Sequence, residues 1–597
     1  MTPAMSPSVL SKSIASLAFA GMLGSVWWLD QRAHEGPATQ AHADVGFRLR
    51  ETARERGIDF THRETTLDPA LANVAPHVSG MGAAVSVVDF DRDGWSDLYA
   101  TSSRFGHPNA LLRNEQGRFR DVAASAGLAE VNIEGQGVSM GSVWADFDND
   151  GFEDVFLYKW GWQQLFRNRG DGTFVDVSAP AGVRRWMNSN SACWIDYDRD
   201  GFVDLYVAGY FPERVNMWKL ESTRIMQESF EFARNGGHNV LLRNRGDGTF
   251  EDVTALTGCD STRWTLAVAA ADMDRDGFVD LYLANDYGPE ELFRNVGGQR
   301  FELMSNVGLD ESSKSGMSVT LGDFENEGCL GVYVTNISKE RFLFQGNNLR
   351  RNRLAQSGKL YNIADVSSTS SRPVVDCGWA WGAQFGDLDN DGRLDLFVAN
   401  GFVSASRERD YWYGMSKVAG GAGNLFEDAA LWEPMGDASL SGYEVSRVLH
   451  NQGGARFADV AAAVGVSDEY DGRAVAFADL FHRGALDVIV ANQKGPLLLY
   501  ENELAKPRHW IQLDLRGTKS NRSAIGAEVT LEFGSRKQTQ TVLAGSGFCA
   551  QNDHRLHFGL GDAAGVDAVT IRWPSGDEQK LARLEIDRLH VVEEPQP

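Results

Sequence analysis

Cysteine is scarce in this chain, and what there is forms no pattern. The five (Cys193, Cys259, Cys329, Cys377, Cys549) are odd in number, widely spaced and free of any CxxC. That excludes a disulfide framework and makes buried free thiols the expected state. Positive charge is short too: 57 Lys and Arg face 82 Asp and Glu, a formal net charge of −25. The imbalance argues against nucleic acid and against an anionic membrane surface as partners. Catalytic signatures are missing, with no HExxH, GxSxG, Walker loop or Rossmann fingerprint. The 12 histidines are scattered, and the closest pair, His554 and His557 in NDHRLHFG, sits in an alternating β-rich segment and reads as structural. Cys549 has no charged or histidine neighbour in sequence to mark an activated thiol. Proline, at 16 against 63 glycines, is the last shortage, and it suits a chain of many tight turns.

Size and core-forming residues are ample. At 597 residues with 43% hydrophobic and 10% aromatic content, two or more domains are expected unless a repeat extends one of them. The N-terminus carries a charge-free run of 17 residues from Ser13 to Leu29, with Lys12 before it and Asp30 after. Its length falls between a signal-peptide core and a full membrane span. Trp27 and Trp28 suit a membrane interface, and Lys12 on the inner side predicts an exported C-terminus. An uncleaved anchor and a signal cut near Ala41-His42-Ala43 both remain open, and both export the rest. Residues 1–43 are therefore set apart as signal or anchor and linker.

The aspartates are concentrated. DFDNDGFED (146–154) has counterparts in DFDRDGWSD (89–97), DYDRDGFVD (196–204), DMDRDGFVD (272–280) and DLDNDGRLD (387–395). Acids at positions 1, 3, 5 and 9 with glycine at the bend are how a chain wraps oxygen around calcium. The side-chain ligands expected are Asp89, Asp91, Asp93 and Asp97; Asp146, Asp148, Asp150 and Asp154; Asp196, Asp198, Asp200 and Asp204; Asp272, Asp274, Asp276 and Asp280; and Asp387, Asp389, Asp391 and Asp395. The position 7 carbonyls of Trp95, Phe152, Phe202, Phe278 and Arg393 are expected to join them. No His or Cys lies within these loops, which disfavours transition metals, so about five Ca2+ ions are expected. DFENEGCLG (323–331) keeps Asp323, Glu325 and Glu327 but has Gly331 at position 9, a weak site. In DLFHRGALD (479–487) Phe481 and Arg483 replace two ligands, Arg483 is expected where the cation would sit, and no calcium is expected there. The flanks alternate as strands do, as in SVWAD and DVFLY, and the ninth residue starts the second strand.

Seven such loops are each followed by a motif of the form LLRNxGxGxF, although the last instance, LLLYENEL (497–504), stops before its closing strand. The missing strand is found at the other end, in FRLRETARERGI (47–58). Four short strands in about 50 residues read as propeller blades, and an N-terminal strand completing the last blade hides both sheet edges. The fold expected is all-β: a seven-bladed β-propeller over 44–504, closed by 47–58, followed by a small β domain at 505–597. Insertions at 61–79, 211–236 and 401–441 fall on the face opposite the aspartate loops. Their aromatics, Trp218, Tyr411, Trp412, Tyr413 and Trp432, are candidates for a ligand face, or else pack locally beneath the loops.

The D-x-D-x-D-G-x-x-D loops resemble FG-GAP/VCBS repeats, the units of the integrin α-subunit propeller. GTKSNRSAIGAEVTL (517–531), VLAGSGFCAQNDHRLHFGLG (542–561) and VTIRWPSG (569–576) resemble the ASPIC/UnbV domain. The combination resembles the cartilage acidic protein family over about residues 45–595. One departure is Cys549-Ala550, where the family has an aliphatic residue and a serine. The resemblance implies an exported, calcium-dependent propeller with a β domain appended. The expectation is a monomer that binds an extracytoplasmic protein or glycan through its insertion-bearing face. The alternative is an enzyme of enediyne- or polyketide-type biosynthesis, with a pocket in the central channel or beside the C-terminal domain. Neither reading names a nucleophile or a general base.

Overall fold

Strand-forming residues dominate because the alternating runs carry Val, Leu, Tyr and Phe, and short Gly- and Asp-rich turns separate them. The structure is a computed structural model and describes residues 45–309, 314–364, 372–420 and 427–596. The segment expected to direct export, at 13–29, lies outside the described residues. No helix among the described residues is long and apolar enough to cross a membrane.

The strands assemble as four-stranded antiparallel units, the first being Val85–Val88, Asp97–Ala100, Ala110–Asn114 and Phe119–Asp121. In the second unit Gly137–Ala145 is buried at every position and pairs with Asp154–Trp162, so the ninth loop residue does open the second strand. Units follow whose innermost strands are Trp186–Ile195, Trp264–Ala271, Ser318–Gly322, Ala380–Gly386 and Asp471–Ala478. Each innermost strand packs on the next, and Asp471–Ala478 packs back on Val85–Val88, so the units form a closed ring. The last unit borrows its outer strand. Phe47–Glu51 pairs antiparallel with Leu498–Leu504, Phe47 opposite Leu504 and Glu51 opposite Tyr500.

The C-terminal segment builds two further sheets. In one, His509–Arg516 lies between Leu556–Gly561 and Arg588–Glu593; in the other, Glu528–Phe533 lies between Arg536–Thr541 and Ala568–Arg572, which also pairs with Glu578–Leu581. These sheets and the ring form a single unit, Gly46–Pro597.

Between those sheets the chain sends a tongue down the channel of the ring. Trp194 N–H donates to Ala544 O at 3.0 Å and Gly547 N–H to Val319 O at 2.8 Å. Gln384 Nε2 donates to Ser546 O at 3.1 Å, and Ala550 pairs in parallel with Val85. Trp144 N–H donates to Gln551 Oε1 at 2.8 Å, and Phe477 N–H to Asn552 Oδ1 at 2.9 Å. Phe548 is buried against Trp381, ring centres 4.9 Å apart. The expectation of a substrate pocket in the central channel is corrected: residues 544–552 bond to the innermost strands of six units.

The opposite end is closed by the three insertions. Trp218 Nε1 donates to Thr65 Oγ1 at 3.1 Å, and Asn73 Nδ2 to the carbonyls of Ala429 and Trp432 at 2.6 and 2.9 Å. Met226 N–H donates to Glu427 O. This cap absorbs most of the aromatics expected to face a ligand. Tyr411, Trp412 and Trp432 are buried and Trp218 is half-buried, leaving Tyr413 exposed at 67%. Rings on long loops leave less apolar area exposed to water by packing on one another than by pointing outward, so local packing prevails for four of the five.

Candidate metal centres

Each aspartate loop is a hairpin tip folded around its own carboxylates. Position 1 turns inward and accepts the position 6 amide: Gly94 N–H meets Asp89 Oδ2 at 3.1 Å, Gly151 meets Asp146 at 2.6 Å and Gly277 meets Asp272 at 2.9 Å. The bend needs a residue without a side chain, since Gly151 has φ of 99°. Position 5 accepts the position 7 amide, as in Phe152 N–H to Asp150 Oδ1 at 3.0 Å, which locks the turn locally. Position 9 is the most buried. Asp154 takes the amides of Phe147 and Asn168 at 3.1 and 2.7 Å, and Asp204 those of Tyr197 and Asn244 at 3.1 and 2.8 Å.

The carboxylates converge. In the first three loops the oxygens of positions 1, 3 and 9 (Asp89, Asp91, Asp97; Asp146, Asp148, Asp154; Asp196, Asp198, Asp204) lie within 4.8 Å of one another. In the fourth, Asp272, Asp274 and Asp276 do so. Asp93, Asp150 and Asp200 point instead to turn amides, and Asp93 and Asp200 also to arginines. Burial, aided by neighbouring acids, pushes Asp89 up to about 6, Asp146 to about 8, Asp196 to about 7 and Asp272 to about 6. Asp97, Asp154, Asp204 and Asp280 are raised well above the ordinary carboxylate range for the same reason. Buried oxygens without a hydrogen-bond partner remain on Asp89, Asp196 and Asp198. Converging, desolvated, partly unpartnered oxygens fit a hard divalent cation.

The loops are not equal. The third strand's arginine grips positions 3 and 5 in loops 1, 3 and 4, with Arg113 at 2.7 and 3.2 Å from Asp91 and Asp93, Arg243 at 2.7 and 3.2 Å from Asp198 and Asp200, and Arg294 at 2.5 and 2.9 Å from Asp274 and Asp276. Loop 6 has His450 at that place, 3.3 Å from Asp389, and Arg508 of the C-terminal segment reaches the same carboxylate at 2.6 Å. Although burial opposes it, the bond to His450 and the charge of Arg508 hold Asp389 below its ordinary value, while burial drives Asp387 and Asp395 well above theirs. No histidine lies within the loop itself, and here the imidazole comes from the neighbouring strand: Asp389, Asp395 and His450 converge within 4.8 Å. In loop 5, Glu325 and Glu327 pair with Arg351 and Arg353, which leaves Asp323 with little help. In loop 7, Arg483 lies 2.6 Å from Asp487 and 3.3 Å from Glu501. Glu501 stands where the first five repeats carry arginine and the sixth carries His450, so in this repeat the two charges have changed places.

Sequence reasoning missed the residue that joins the units. The asparagine closing each LLRN-type strand donates from Nδ2 to a loop carbonyl of the preceding unit: Asn168 to Phe90 O at 2.8 Å, Asn244 to Phe147 O at 2.8 Å, Asn502 to Leu388 O at 2.7 Å. Asn295, Asn352, Asn451 and Asn114 repeat the bond around the ring. Its recurrence at one place in every repeat was the available signal.

These geometries agree with sequence comparison. The FG-GAP-like repeat family matches residues 89–157, 146–207, 232–283 and 272–334, and ASPIC and UnbV matches 517–597. The chain is an FG-GAP-repeat protein with a C-terminal ASPIC and UnbV domain. Cartilage acidic protein 1 of Xenopus tropicalis is similar at 23% identity over 82% of this chain and 70% of its own length. The Homo sapiens protein is similar at 23% over 82% and 68%. Among solved structures, an Agrocybe aegerita lectin that recognises non-reducing terminal N-acetylglucosamine aligns at 14% identity and a TM-score of 0.36, over 69% of this chain and 86% of its own. Saccharomyces cerevisiae Sqt1 aligns at 10% and 0.36, over 74% and 99%.

The ASPIC and UnbV domain sits on the FG-GAP loop tips. Ser523 Oγ accepts Asp146 N–H at 3.0 Å and donates to Glu153 at 2.9 Å; Arg555 meets Asp89 at 2.9 Å; Thr539 N–H meets Asp323 at 3.0 Å; Gln512 meets Asp479 at 3.2 Å. Beside loops 1 and 2 it leaves a cavity of about 430 Å³ lined by Asp89, Glu153, Asp514, Arg522 and His554. All five cysteines are free, and Cys193, Cys259, Cys377 and Cys549 are buried.

Proposed function

We propose that this is an exported, calcium-stabilised propeller that binds an extracytoplasmic protein or glycan through its insertion-bearing face. One observation carries the reading: the ASPIC and UnbV domain occupies the loop face and its tongue fills the channel, so the cap is the broad surface left for a partner. That surface carries Tyr413 and, on the nearby hairpin 338–344, exposed Phe342 stacked on Trp412 at 5.6 Å. Exposed aromatics are common anchors for proteins and sugars. Calcium would be held by the carboxylates of loops 1–4 and 6, and its chemistry there is charge neutralisation of crowded acids. Similarity to cartilage acidic protein 1 supports an extracellular setting.

The test is site-directed photo-crosslinking in the producing cell. Crosslinks from position 413 and none from Leu303, an exposed residue of the fourth unit's outer strand, are expected. Equal labelling from both ends the reading.

A second reading, an enzyme that positions a small substrate, is favoured by the cavity beside loops 1 and 2, where His554 lies 3.7 Å from Glu153. It requires turnover of a pathway intermediate that Glu153→Gln abolishes.

A further inference from the structure

The fourth residue of the aspartate loops, flanked by ligands 3 and 5, is not itself an expected ligand, yet its backbone is left-handed in all seven loops. Arg92, Asn149, Arg199 and Arg275 have φ of 57°, 58°, 61° and 65°, and Asn326, Asn390 and His482 have 56°, 56° and 52°. Left-handed backbone is rare outside glycine and is seldom adopted by arginine. Here it directs the position 4 side chain toward the next loop in six of the seven cases.

In those six the contact falls on position 6 or position 7 of the next loop. Asn149 Nδ2 donates to Gly201 O at 2.9 Å, the position 6 carbonyl of loop 3. Asn326 donates to Gly392 O of loop 6 at 2.6 Å, and Asn390 to Gly484 O of loop 7 at 2.6 Å. His482 reaches Gly94 O of loop 1 at 3.1 Å and stacks on Trp95 at 3.9 Å. Two arginines use the next residue along: Arg92 lies over the position 7 ring of Phe152 at 5.5 Å, and Arg199 over that of Phe278 at 4.9 Å while its Nε also donates to Pro574 O of the ASPIC and UnbV domain at 2.8 Å. The succession breaks once. Arg275 turns to Glu528 of the ASPIC and UnbV domain, 3.8 Å away, and the loop that follows it is the degenerate fifth.

We propose that position 4 is a positioning residue that couples neighbouring metal centres: each loop, ordered by its own ion, pins the peptide between positions 6 and 7 of the next. The warrant is geometric. Position 4 is fixed by ligands on both sides, and the peptide it grips immediately precedes the carbonyl expected to bind the neighbour's ion. Filling one loop therefore removes conformational freedom from the next before its ion arrives, which is positive coupling. The coupling runs from loop 1 through loop 4, stops at Arg275, and resumes from loop 5 through loop 6. This inference rests on the calcium reading above.

The experiment uses the full chain in a Trp95→Phe, Phe202→Trp background, in which terbium luminescence reports loop 3, together with calcium titration calorimetry. Asn149→Gly keeps the left-handed backbone accessible and leaves every ligand of loops 2 and 3 in place. Its expected effect is a loss of about fivefold in loop 3 affinity, the low end of ordinary coupling, with the number of calcium ions bound unchanged. Arg275→Gly is expected to leave loop 3 affinity as it was. Asn149→Ser, whose side chain is too short to span to Gly201, is measured alongside and serves if the glycine variant folds poorly. Unchanged loop 3 affinity in a protein that still binds calcium overturns the coupling alone. A parent protein that binds no calcium overturns the metal reading and the coupling with it.

Discussion

Asn114 Nδ2 donates to the carbonyl oxygen of Leu480 at 2.9 Å, a bond from the first unit of the ring to the last. The same side chain accepts Gly117 N–H at 2.7 Å, and the backbone N–H of Asn114 donates to Asp97 at 2.7 Å. One residue thus holds a seam, a turn and a candidate metal ligand. Asn114→Ala leaves Leu480 O buried, and a lost partner of that kind costs about 1–3 kcal/mol. Urea denaturation should show that loss, and Asn168→Ala, the equivalent bond to Phe90 inside the ring, should lose a similar amount. A change under about 0.5 kcal/mol in both would mean the bonds are incidental.

Chelation should destabilise the fold. Each ion bound at a hundred times its dissociation constant adds about 2.7 kcal/mol, so EDTA is expected to lower the melting temperature steeply, and elemental analysis of the undepleted protein to return about five calcium ions. Because Asp146 and Asp196 are pushed up to about 8 and about 7 by burial, they hold protons part of the time at neutral pH. Calcium uptake should then release protons, visible as a buffer-dependent heat in calorimetry. A melting temperature indifferent to EDTA removes the metal assignment.

Acid should weaken the calcium-saturated fold through its buried histidines. Burial lowers His62 to about 3, His77 to about 4 and His557 to about 3, against 6.5 in an unfolded chain. The unfolded state therefore takes up protons that the native state refuses. The stabilisation is complete above pH 6.5 and falls as pH drops toward 4, by about 1.4 kcal/mol per pH unit for each histidine that protonates only on unfolding. His77 lies against Trp432 and Phe402 with Nδ1 unpartnered. His77→Phe should flatten the stability profile between pH 6.5 and 4 by one histidine's share; parallel profiles would refute this.

Arg483 should matter more than an ordinary surface arginine. It neutralises Asp487, which is fully buried, at 2.6 Å. Removing one partner of a buried pair costs about 3–5 kcal/mol, and with Arg483 about a third exposed the low end is expected for Arg483→Met. Arg167→Met is the control, since its contact with Asp148 is 3.8 Å and its side chain is 47% exposed. Its change should stay within about 0.5 kcal/mol.

What could be read from the sequence was local or periodic. Asp146 to Asp154 shows its role because ligand spacing is a matter of nine consecutive residues, and Phe47 finds Leu504 because the repeat runs out of phase at both ends. The rest depended on contacts between distant segments with no shared period. Nothing near Ala544 or Phe548 says that they meet Trp194 and Trp381 inside a ring. Trp432 looks exposed until Asn73, from another insertion, caps its carbonyl. His450 enters loop 6 only because two strands lie side by side.

The swapped edge strand sets an order of events for synthesis. Arg50 and the Glu503 it meets are 453 residues apart. At 5–20 residues per second, about 20–90 s separate their emergence from the ribosome. Throughout that wait the newborn chain is an open arc with one raw edge, and the segment that fills its bore has yet to be translated. Chaperones or an export machine would therefore meet a long-lived unfinished circle, and early stops in translation would yield sticky fragments rather than a shorter working protein.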